Sequence, residues 1–145
     1  MLGALDYAPD TSIVVATGWS EAAKVLRGQA WDSRWWDLEE EERERLWSAA
    51  GDQMLEAVLL ERLAALSNAH ELLIRDGAAQ AAARDSVTDS GLIRAAAEAA
   101  ALAAHQRALS TLAAAPPEHY FQHKFELFSA GRWPLGVVDG SFLIF

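Results

Sequence analysis

The chain has no cysteine. Disulfide bridges, thiolate metal sites and a cysteine nucleophile are therefore excluded. Positive charge is also scarce. Twelve Lys and Arg residues stand against 21 Asp and Glu, for a formal net charge of −9 and a pI near 4.8. Proteins that displace counterions from nucleic-acid phosphates, or that dock on anionic lipids, need the opposite balance. The expectation is a protein that binds neither nucleic acid nor membrane.

Glycine and proline are modest at nine and four residues, and no long polar tract occurs, so general disorder is not expected. Nor is there an unbroken apolar run of the roughly 18 residues that a spanning helix needs. Ala95 to Ala104 comes nearest and is interrupted by Glu98. The opening MLGALDYAPD lacks the basic region and apolar stretch of a secretory signal, which makes a cytoplasmic location the expectation. The G-x-S-x-G elbow, the phosphate loop and the G-x-G-x-x-G turn are all absent, so the chain carries no motif of an enzyme. No cofactor is implied.

What is present is apolar. With 145 residues, 52% of them hydrophobic, residues 1–145 can form one domain around a sizeable core. Ser12 to Ala16 is a β-branched run that reads as a strand ending at Thr17-Gly18. Ser20 is placed to cap a short helix closed by Gly28. Trp31, Trp35 and Trp36 fall in a connection before a long helical pattern from Leu38 to Arg75, with Asp37 and Glu40 at capping-box spacing and Gly51 as a kink. Its predicted apolar stripe is Leu55, Leu59, Leu63, Leu66, His70 and Leu73, and Asp76-Gly77 ends it.

A second long helix spans about Gly91 to Ala114 and stops at Pro116-Pro117. Its alanine content permits close approach to its neighbours. Pro117 to Ala130 reads as a C-terminal helix with Gly131 as its cap and Phe121, Phe125 and Phe128 on one face. Asp139-Gly140 then joins two short apolar runs, 135–138 and 141–145, in a hairpin whose type I′ turn needs positive φ at both central residues. The predicted fold is mainly α: a helical bundle with two long helices, a C-terminal helix and a small C-terminal β-hairpin. The sheet becomes three-stranded if residues 13–16 join it.

Two constellations bear on function. Six tryptophans are many for this length, and Trp31, Trp35, Trp36 and Trp47 gather around the acidic run Asp37 to Glu44. Indoles beside carboxylates combine apolar anchors with charge steering toward a basic partner. The hairpin is apolar on both faces, and one face is expected to need a cover from a second subunit or a partner. The partner-binding residues expected on this basis are Trp31, Trp35, Trp36, Glu39, Glu40, Trp133 and Phe142. The function they point to is that of a small bacterial interaction protein of the immunity, antitoxin or adaptor kind, which binds and occludes another protein or forms a homodimer.

The alternative is a metal-binding bundle or metal-dependent enzyme. His119, His123 and Glu126 recur at i, i+4 and i+7, which offers two imidazoles and a carboxylate from one helix face. His70, Glu98 and His105 would converge between the long helices if these pack antiparallel. An aromatic small-molecule pocket is the third option.

Overall fold

The computed structural model describes residues 11–28, 32–83 and 90–145. Trp31, expected at the binding surface, lies outside the described residues. The elements run β1 (Ser12–Val15), α1 (Trp19–Gly28), α2 (Arg34–Gly51), α3 (Glu56–Ala83), α4 (Ser90–Leu112), α5 (Tyr120–Ser129), β2 (Pro134–Val138) and β3 (Ser141–Ile144). The chain is mainly helical with a small three-stranded sheet, as the sequence predicts.

The hairpin turns where expected. Asp139 and Gly140 both have positive φ, 49° and 71°, as a type I′ turn requires. The strand order is β1-β3-β2, so β3 is central, antiparallel to β2 and parallel to β1. A register shift between Pro134 and Gly136 marks a bulge in β2. Beyond it, Trp133 and Phe145 exchange backbone hydrogen bonds of 2.6 and 2.8 Å, which extends the pairing past the strand ends.

Alternation along β3 sends side chains into two apolar clusters, one on each face of the sheet. Phe142 and Ile144 join Val137, Trp35, Leu46, Leu59, Leu63, Leu109 and Phe121. Leu143 and Phe145 join Trp133, Phe125, Phe128, Ile74 and the alanine face of α4, from Ala96 to Ala104. Both faces are thus covered by helices of the same chain. The expectation that one hairpin face awaits a partner is corrected, because Phe142 and Phe145 have no exposed surface.

The helical hairpin of α3 and α4 is the largest contact between elements. It differs from the sequence expectation in three ways. First, α2 begins at Arg34, so Trp35 and Trp36 belong to its first turn rather than to a connection. Second, Gly51 ends α2 instead of kinking a continuous helix, and the chain turns before α3 starts at Glu56. Third, α3 runs straight through Asp76-Gly77 to Ala83.

The buried side of α3 is Leu59, Leu63, His70, Ile74 and Gly77, with Leu66 half-buried, whereas Leu55 and Leu73 face solvent. On α4 the buried side is largely alanine, and Leu102 is exposed. Helix α4 ends in a Schellman arrangement: Ala115 N–H donates to the Ser110 carbonyl at 2.9 Å and Ala114 adopts φ 53°. Helix α5 starts three residues later than Pro117, at Tyr120, and its three phenylalanines are buried as expected. Among the described residues no helix is long and apolar enough to cross a membrane.

Candidate functional site: an aromatic cleft over a buried ion pair

The amphipathic register of α2 separates neighbouring residues by about 100°. Trp35 therefore turns inward while Trp36, 43% exposed, turns out. Four residues on from Trp35, Glu39 follows it inward, and Glu40 lies one turn along from Trp36 on the outer side. Helix α5 faces this inner side with Tyr120 and Lys124, also four residues apart.

The Trp35 indole N–H donates to the Tyr120 hydroxyl at 2.8 Å. Lys124 Nζ donates to both Glu39 oxygens, at 2.8 and 2.7 Å, and lies 5.1 Å from the Trp35 ring centroid. Gln106 of α4 donates to Glu39 at 3.0 Å. Lys124 is one of two lysines in the chain, and its side chain and that of Glu39 are each only 5% exposed. Desolvation pushes the Lys124 ammonium below its ordinary pKa, while the Glu39 carboxylate and its hydrogen bonds pull the other way. Paired and hydrogen-bonded, the two charges satisfy the condition for burying them.

This pair forms the floor of a cleft of about 260 Å³. Trp35, Trp36, Trp133, Phe128 and Leu102 wall it, and Pro134 and Leu135 from the start of β2 close one side. Trp133 is held by its stacking on Trp19, with ring centroids 6.3 Å apart and planes 9° from parallel. Of the seven expected partner-binding residues, Trp35, Trp36, Glu39 and Trp133 are brought together here. They form a concave, largely buried wall rather than a protruding patch. Glu40 stays on the outer face of α2, tied to Arg43. Phe142 contributes only from beneath, packing its ring 6.0 Å from that of Trp35.

Lys124, Tyr120 and Gln106 are not singled out by sequence reasoning. Lys124 sits amid Phe125, Glu126 and two histidines, and only the position of the phenylalanine face shows that it points inward.

The two histidine constellations do not form. His119 is the N-cap of α5, and its Nδ1 accepts the Phe121 N–H at 3.1 Å. The ring proton is thereby placed on Nε2, which donates to Glu42 of α2 at 2.6 Å. Burial alone would raise the Glu42 carboxyl, but hydrogen bonds from Arg45 and His119 hold it below the ordinary glutamate value. Both nitrogens of His119 are thus engaged away from His123, which pairs with Glu126 at 3.2 Å on the surface. The inner trio separates too: Glu98 is exposed beside Arg94, His105 lies 3.4 Å from Ser67, and the His70 ring packs against that of Phe125, tilted by 55°. Among the described residues no three His, Asp or Glu side chains converge as a metal site would require.

Compared with protein-family models, with curated proteins and with solved structures, the chain matches none.

Proposed function

We propose that the protein acts by binding another protein, in the manner of an immunity protein, an antitoxin or an adaptor, and that the aromatic cleft is the anchoring point. The observation that carries this reading is the cleft's size. At about 260 Å³ it lies below the ~300–1,000 Å³ common for small-molecule sites and suits one large apolar side chain. Trp36 stands exposed at its edge, and indoles lining a desolvated pocket are the usual setting of a binding hot spot.

The outer face of α2 adds charge beside the anchor. Asp37, Glu40, Glu41 and Glu44 are all exposed there, and the whole chain carries −9. A partner that inserts an aromatic or branched side chain and flanks it with Arg or Lys meets both features, and long-range attraction speeds its approach.

A peptide library displayed on phage and panned on the full chain tests this. The expected hits carry an aromatic or branched aliphatic residue next to Arg or Lys, and they lose binding in Trp36→Ala and Leu102→Glu variants whose thermal unfolding matches the parent. Hits without that pattern, or hits that bind both variants undiminished, would refute the reading.

A further inference from the structure

A second exposed apolar surface, apart from the cleft, lies on α3. Opposite the buried residues, Leu72 is 62% exposed and Ala65 and Ala69 are exposed with it. At 3.6 residues per turn, Ala65, Ala69 and Leu72 form one stripe, set about 140° round the helix from Leu63 and His70. No residue of α3 lines the cleft described above. Removing a leucine side chain from water is favourable, so a stripe of this kind is an unclaimed driving force for association.

The charges at its ends specify the occupant. Glu61 and Arg75 lie on the same flank of the stripe, toward opposite ends, and both are exposed. Neither takes part in an ion pair within the chain among the described residues. We infer that the outer face of α3 binds a second copy of this chain, antiparallel, about a two-fold axis near Asn68. That axis sets Glu61 of each copy against Arg75 of the other and lays Leu72 over the small Ala65 of the facing helix. In a parallel arrangement the two-fold axis runs along the helices and sends these residues to opposite flanks, where no such pairs form, so the charge pattern selects the antiparallel one.

Sedimentation equilibrium of the full chain tests the inference, independently of any peptide bound in the cleft. The parent is expected to be a dimer that Leu72→Glu converts to a monomer of unchanged helical content. Glu61→Arg and Arg75→Glu, each creating like-charge contacts, should each weaken dimerisation by about tenfold or more. The double variant Glu61→Arg/Arg75→Glu should regain it, because the swap restores opposite signs across the axis. A monomeric parent at high protein concentration overturns the proposal. A dimer indifferent to Leu72→Glu, or a double swap without recovery, overturns it equally.

Discussion

Gly77 of α3 packs directly against the backbone of Phe128 in α5. A Cβ built at position 77 would lie 3.1 Å from the Phe128 carbonyl carbon and overlap its oxygen. The obstacle is main chain, which cannot swing aside as the tip of a side chain would. Close helix approach, and not helix termination, is the reason a glycine stands here.

Gly77→Ala is therefore expected to destabilise the fold by about 3 kcal/mol or more, the upper range for overpacking. Gly51→Ala is the control. Nothing lies within 4 Å of a Cβ at position 51, which is exposed, so that substitution should be neutral or stabilise by a few tenths of a kcal/mol up to ~1 kcal/mol. Urea unfolding of both variants gives the comparison, and equal losses would contradict the packing argument.

The Glu39–Lys124 pair makes a second prediction. Removing one partner, as in Glu39→Gln or Lys124→Met, strands a buried polar or charged group and should cost about 3–5 kcal/mol. Replacing both, in Glu39→Leu/Lys124→Met, leaves an apolar floor and should cost far less than the sum of the single changes. A double-mutant cycle by chemical denaturation measures the coupling. Simple additivity would mean that the two charges do not depend on each other.

Acidification supplies the third. Burial lowers the His70 pKa below the ordinary 6.5, with the positive charge of Arg107 adding to it and a hydrogen bond to the Ala104 carbonyl opposing it. Burial followed by Arg43 lowers His105 in the same way. With both folded-state values depressed, the unfolded chain takes up protons that the native chain refuses. Stability should therefore fall as pH drops through about 6.5 toward the lowered values. The carboxylates Glu21, Glu40 and Glu42, all lowered from 4.5, contribute their loss only at more acid pH. Urea midpoints measured between about pH 7 and about pH 5.5 should decline in the parent, and His70→Gln/His105→Gln should flatten the slope. A parent midpoint that holds steady or rises on acidification would contradict the burial of these rings.

Much of the fold is legible in residue order, because local signals act over a few residues. Pro116-Pro117 follows the end of α4, Gly131 stands in positive φ just past α5, and Asp139-Gly140 turns the hairpin. The strand at Ser12–Val15 is likewise accessible from β-branching, whereas its parallel pairing with β3 comes from the tertiary structure. The capping-box spacing at Asp37 and Glu40 misled. Helix α2 starts earlier, where the Asp32 carboxylate accepts the Arg34 N–H at 3.0 Å and Trp35 is buried against Tyr120 and Phe142.

The candidate site was legible only as a list of residue types. Tryptophans near α2 and the indole before the hairpin were identifiable, yet nothing in their order shows that Trp35, Trp36 and Trp133 wall one cleft. The histidines illustrate the converse. Spacing at i, i+4 and i+7 suggested a ligand set, but His119 lies at the helix cap, where its ring turns toward Glu42 instead of its helical neighbours.

By itself the order of residues determined the hairpin turn, the stop after α4 and which segments coil and which extend, because backbone preference and periodicity are properties of short stretches. Only the assembled tertiary structure decided that the terminal hairpin is sealed on both faces, that a glycine in mid-helix is a contact point, and that Lys124 finds Glu39 inside the protein. Those outcomes depend on distances between residues far apart in the chain. Their energies, desolvation and close packing, come into being only once the helices have docked.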